Sequence, residues 1–197
     1  MQQSFRQQAD ASILDGAASV IARQGLAKTS VQNIADAVGL SKAGLLYHFP
    51  TKDVLYRGII ARAGTLASTL LAEVRDLPVG PARDLAVLEA VVNAALAHPG
   101  LVAMMMLRSL RGESLEQDEV PSLTFVFEVF GDDPATIDLD RSVRIHAAIS
   151  VVALMSQSTP ADRQTATWQR ILVDTCTDAL GHRRPAAPTD VPTHPEA

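Results

Sequence analysis

With a single cysteine, Cys176, in 197 residues, the chain cannot close an intramolecular disulfide, which fits a reducing cytoplasm. Long hydrophobic runs are missing as well. A bilayer span needs roughly 18 consecutive apolar residues; the longest uncharged candidate, Ile145 to Met155, is shorter and carries His146 and Ser150. It reads as a buried helix, and no membrane partner is expected. The opening MQQSFRQQAD has no apolar segment, so no signal peptide is expected. No run alternates apolar and polar residues with β-branched enrichment, which leaves an all-α chain, and no repeat of fixed period is visible. Signatures of catalysis are absent too: there is no G-x-S-x-G, no P-loop and no G-x-G-x-x-G following a strand. Asp132 and Asp133 fall in a turn without a partner base. The five histidines and Cys176 show no paired ligand spacing, so neither a metal nor any other cofactor is expected.

What is present is apolar bulk. Hydrophobic residues make up 47% of the chain, enough for a sizeable core without staples. The net charge of −5 argues against a nucleic-acid partner until its distribution is considered. Residues 1–60 hold six Lys/Arg against four Asp/Glu, whereas the remainder holds eleven against eighteen. A mildly basic head on an acidic body suits a DNA-binding head joined to a body with another task.

Helical spacing recurs along almost the whole chain. A first helix is predicted over 10–24, with Ile13, Ala17, Val20 and Ile21 on one face and Gly25 as its stop. A short second helix follows, its stripe Val31, Ile34, Ala35 and Val38 at i, i+3, i+4 and i+7. Gly39 ends it. Ser41 can cap a third, in which Leu45, Leu46 and Phe49 point inward, and Pro50 terminates it. A long fourth helix runs from Lys52 to about residue 76. Further helices are predicted over 82–97, 101–111, 122–130, 139–158 and 162–180, with an acidic loop at 112–121. From His182 the composition turns proline-rich, and a disordered tail over 182–197 is expected.

Residues 30–49, SVQNIADAVGLSKAGLLYHF, have the sequence form of a helix-turn-helix. Ala35 is small enough for close helix packing, Gly39 supplies positive φ at the turn, and Leu40 plugs the core beneath it. The third helix would then present Lys42, Ala43, Gly44, Tyr47 and His48 to a groove. Lys42 offers a phosphate or base-edge donor and Tyr47 a hydroxyl. Lys52, at the start of the fourth helix, would serve as a phosphate anchor.

This stretch resembles the TetR family of transcriptional regulators, on Ser30, Ile34, Ala35, Gly39, Leu40, Ser41, Ala43, Leu46, Tyr47, His48, Phe49, Thr51, Lys52 and Leu55. Ser30 departs from the commoner threonine, but either hydroxyl can cap. The motif-level resemblance covers residues 10–60. It implies an all-α chain: a three-helix DNA-binding head (1–52), a helical effector-binding and dimerisation body (53–181) and a tail. Its expected partners are an operator duplex, a second copy of the chain and a small-molecule effector, with repression as the activity. The expected DNA-facing residues are Thr29, Ser30, Gln32, Ser41, Lys42, Ala43, Gly44, Tyr47, His48 and Lys52.

In the body, Met104, Met105, Met106 and Leu107, with Phe125, Phe127 and Phe130, suit either a ligand pocket or ordinary core. His146, on an apolar helix, reads as a pocket anchor or a hydrogen-bonded core histidine. The last two helices are apolar on more than one face. Ile145, Ala148, Ile149, Val152 and Met155 in one, and Trp168, Leu172 and Cys176 in the other, are expected to form a four-helix dimer interface. A DNA-binding module without an effector would show the same head.

Overall fold

A computed structural model describes residues 2–111 and 125–182, with side chains from Gln7 to Leu107 in the first stretch. Among these residues the chain forms nine α-helices and no strand: α1 (Gln2–Gln24), α2 (Val31–Ala37), α3 (Lys42–His48), α4 (Lys52–Val74), α5 (Pro81–Ala97), α6 (Pro99–Arg111), α7 (Phe125–Phe130), α8 (Leu139–Ser158) and α9 (Ala166–Ala179). The expected acidic loop, the first residues of the predicted seventh helix and the tail beyond His182 lie outside the described residues.

Two boundaries differ from the periodicity. The first helix begins eight residues early, because its Gln-rich opening has good helix propensity but no apolar stripe to announce it. The predicted last helix is broken. A short 3-10 turn, Ala161–Arg163, precedes α9, which starts anew where the Thr165 side chain accepts from the Trp168 amide. The Gln164 side-chain amide holds the bend, donating to the carbonyls of Ser156 and Thr159 at 2.9 and 2.8 Å.

Apolar side chains gather into two cores. One joins α1, α2 and α3 to the first half of α4, through Ile13, Ala17, Ile34, Leu45, Leu55 and Ile59. The other fills the body, with Leu88, Phe130, Ile145, Val152 and Leu172 among its members. Helix α6 serves both. Leu101, Ala103 and Met104 face the head's core, while Val102 and Met106 face the body's. The head's core therefore does not close at residue 52 but continues through α4 into α6.

The start of α6 is held from both sides. From the head, an Asp15 carboxylate oxygen accepts the Leu101 amide at 3.0 Å, capping α6 across the interface. From the body, the Gln157 side chain donates to the Pro99 carbonyl at 3.1 Å. Gly100 lies so close to α1 that a Cβ there would sit 1.9 Å from the Asp15 carbonyl oxygen. Burial pushes the Asp15 carboxyl above its ordinary value; the hydrogen bonds from Leu101 and Gly100 and the charges of His98 and Arg62 act in the opposite direction.

At the far end of the body, two adjacent buried residues of α5 tie the remaining helices together. The Arg83 guanidinium donates to the carbonyls of Leu77, Glu128 and Val129, joining the turn after α4 to the end of α7. Asp84, 1% exposed, accepts two hydrogen bonds from Arg141 of α8 and sits 2.6 Å from His182 Nε2 beyond α9.

Gly100→Ala should destabilise the fold by about 1–3 kcal/mol, since the clash is with main chain and cannot relax by a rotamer change. Asp15→Asn keeps an acceptor for Leu101 but removes the buried charge, so it should unfold at a higher temperature than the parent at neutral pH. The sign follows from the raised carboxyl. The advantage is complete above its folded value and disappears below 3.8, where both states are protonated. Thermal unfolding across a pH series checks both.

Candidate nucleic-acid interface

Capping builds the helix pair of the head. The Ser30 hydroxyl oxygen accepts the Asn33 amide while the Asn33 side chain accepts the Ser30 amide, each at 3.0 Å, so α2 starts on a reciprocal box. Gly39 has φ +70°, a conformation that favours glycine. The Ser41 hydroxyl then accepts the Gly44 amide at 3.0 Å and starts α3. Leu45 is buried in the head's core, with Leu40, Val38 and Phe49 packed at its margin. The opposite side of α3 is left to solvent.

That side carries most of the expected residues. Ser30, Gln32, Ser41, Lys42 and Ala43 are exposed, Gly44 is half-buried, and Tyr47 is 73% exposed. Gln32 donates along its own helix to Asp36 at 2.7 Å. Three expectations need correction or refinement. Thr29 is buried, and its hydroxyl donates to the Gly25 carbonyl at 2.8 Å, so it locks the turn after α1 rather than facing outward. Lys52 is half-buried, and its ammonium donates to the Leu26 carbonyl. The backbone carbonyls beyond the C-terminus of α1 draw the cation inward, so Lys52 pins α4 to that turn. His48 is also half-buried, its Nδ1 2.6 Å from an Asp10 carboxylate oxygen of α1. Asp10 was not singled out from sequence; it sits on a polar face of α1, far along the chain from His48.

Residues 13–59 match the family model for bacterial regulatory proteins of the tetR family. The match covers the end of α1, the whole helix-turn-helix and the first turns of α4. Residues 13–59 thus carry a TetR-type DNA-binding domain. Solved structures share its fold. A TetR-family member from Streptomyces coelicolor aligns with a TM-score of 0.58 at 20% identity, over 88% of this chain and 91% of that one. AibR, crystallised with isovaleryl coenzyme A and operator DNA, aligns with a TM-score of 0.55 at 19% identity, over 88% of this chain and 98% of its own. No curated protein matches the chain.

In the body, the expected effector residues do not converge on one place. Met104 and Leu107 line a cleft of about 440 Å³ with Ile21, Ala22, Leu26, Lys28 and Tyr56, between α1, its following turn, α4 and α6. Met105 is partly buried against the head's core. Phe125 and Phe127 are packed at the edge of the body's core, and Phe130 is fully buried within it. The His146 ring meets Phe127 edge to face at 5.0 Å, and its Nδ1 lies 2.9 Å from the Ser142 carbonyl oxygen. The residues of α6 in this set belong to the head's core, whereas those of α7 belong to the body's.

The expected dimer residues also divide. Ile145, Ala148, Ile149, Val152, Leu172 and Cys176 are buried within the subunit, and Trp168 is half-buried there; of the expected set only Met155 counts as exposed. The Cys176 thiol, with its acidity pushed to about 11 by burial, is hydrogen-bonded to the Ala148 carbonyl and is inert. Helix α8 instead shows solvent a second apolar stripe: Leu139, Val143, Ala147, Val151 and Leu154, with Ile171 exposed on α9.

Lys42 and Lys52 should separate cleanly. Lys42→Ala should leave thermal stability unchanged and reduce by about one unit the slope of log affinity against log salt, measured on a duplex selected from a random-sequence pool. Lys52→Ala should lower stability by about 1.5–3 kcal/mol, the value of a charge-assisted hydrogen bond, and shift the unfolding midpoint accordingly.

Proposed function

We propose that the chain is a TetR-family repressor that binds a near-palindromic operator as a homodimer and is released by a small-molecule effector. The carrying observation is the exposed face of α3, held by a rigid core behind it and presenting Lys42, Ala43 and Tyr47 as one surface. Small side chains allow close approach to base edges, and the lysine and phenol supply donors to phosphate. Ser30, Gln32 and Ser41, at or near the N-terminal ends of α2 and α3, complete the contact surface. Residues 1–52 read the DNA, and 53–181 bind the effector and the second subunit.

Dimerisation is supported by the second stripe of α8. Its spacing of three and four residues makes a continuous apolar ridge, and a helix apolar on two sides needs a neighbour on each. The first side packs inside the subunit. The second pairs with α8 and α9 of another copy, bringing two heads to half-sites roughly 34–36 Å apart or somewhat farther.

Effector control is supported by the cleft at the base of the head. A molecule there would touch α1, α4 and α6 together, the helices that fix the head to the body. The occupied cleft would favour one head position over another, and operator affinity would fall by about 5–150-fold. AibR, of the same fold, was crystallised with both a coenzyme A thioester and operator DNA.

Selection from a random-sequence duplex pool by the purified protein should enrich a near-palindrome; enrichment of a single half-site would refute the symmetric reading. Val151→Glu should give a monomer by light scattering and weaken binding to that palindrome by about a hundredfold or more, through lost bivalency. A dimeric Val151→Glu protein would place the interface elsewhere. A thermal-shift screen tests effector binding. Compounds that stabilise the parent but not Met104→Trp, in which the cleft is filled, support the cleft.

A further inference from the structure

We infer that Asp10 is a positioning residue for DNA reading: it sets the pose of α3 from α1 by gripping His48. The inference rests on the reading of α3 as the DNA-facing helix. That helix has seven residues, too few to hold a shape alone. Its pose therefore depends on what fixes it at each end and along its length. At its start are the Ser41 cap and the Gly39 turn, which relate it to α2. In its middle is Leu45, 1% exposed, which fixes its depth on the core. Just past its end Phe49 packs at the margin of the same core, so the polar side of the last turn is what remains to be fixed.

The far end is His48, the last residue of α3. Its Nδ1 is 2.6 Å from Asp10 Oδ1, and the two side chains are 20% and 34% exposed. Asp10 is a fixed point, because α1 is embedded in the head's core and docked on α6. The same imidazole makes an edge-to-face contact with Tyr47, ring centroids 5.6 Å apart, and a tilted contact with Phe49 at 6.4 Å. One carboxylate thus orients the ring that stands beside the most exposed aromatic of the DNA-facing surface.

Electrostatics gives the opposite expectation, which makes the proposal testable by sign. Asp10 is one of only four acids in residues 1–60. A carboxylate near a polyanion opposes binding, so deleting it should tighten the complex if charge is all it contributes. As a positioning residue its loss weakens the complex. Asp10→Ala removes both charge and acceptor; Asp10→Asn removes the same charge but keeps an oxygen for the imidazole N–H.

The experiment measures affinity for the selected duplex by fluorescence anisotropy at fixed salt. Asp10→Ala should bind about tenfold more weakly than the parent, while Asp10→Asn binds at least as tightly as the parent. In a His48→Phe background, which keeps a ring beside Tyr47 but no nitrogen for Asp10, both substitutions should tighten binding equally. The proposal is overturned if Asp10→Ala matches or exceeds the parent, if the Ala and Asn variants are equally weak, or if the loss persists in the His48→Phe background. Should Asp10→Ala fail to fold, the Asn variant in the two backgrounds decides: tightening is required in the His48→Phe protein, and its absence rejects the role. A parent protein that selects no duplex at all would reject the DNA reading itself, a separate outcome.

Discussion

The head is seated on the body by the close approach of α1 to α6. Helix backbones meet at Gly100, where even a methyl group would collide with the Asp15 carbonyl, and α6 borrows the Asp15 carboxylate as its cap. Of all the helix pairs, α1 and α6 pack most extensively. A three-helix head of this size has little core of its own. It becomes stable by extending that core through Leu55, Ile59 and Ala63 of α4 and Leu101 and Met104 of α6. The head is thus part of the body's packing rather than a module on a linker.

That arrangement gives α6 an unusual position. One side of it completes the head's core and the other the body's, so a displacement of α6 is felt in both. Helix α4 spans the same two regions along its length, and its far end is held through the Arg83 clamp to α7. Beside it the buried Asp84–Arg141 pair fixes α5 to α8, a contact that also raises the guanidinium's proton affinity, chiefly through the hydrogen bond it donates to Asp84. A body stiff at that end and a cleft at the other would concentrate any rearrangement at the base of the head. Cores of this kind switch between packings rather than deform smoothly.

The head was largely legible in the sequence because its features are local. Gly39, Ser41 and the Val31–Val38 stripe each act within a few residues, and the structure realises the turn, the cap and the buried face they specify. What escaped were the long-range contacts. Lys52 reads as an exposed cation beside a helix start, and only the fold shows that the carbonyl of Leu26 claims it. Asp10 carries no signal that points to His48. In the body, periodicity showed that α8 has two apolar sides but not which one faces inward, and the stripe from Ile145 to Val152 went to the subunit's own core. Met104 to Leu107 read as one cluster along the chain, yet a helix turns by about 100° per residue, and the cluster is shared between two cores.

The seating of the head on α6 is most directly examined by hydrogen exchange of the protein with and without its selected duplex. If α1 and α6 move as one unit, DNA bound at α3 should slow exchange not only in residues 41–48 but also at the amides of Leu101 to Met104, which lie away from the DNA face. Protection confined to α1, α2 and α3, with the start of α6 exchanging at its free rate, would show that the head and body are mechanically independent and would contradict the account.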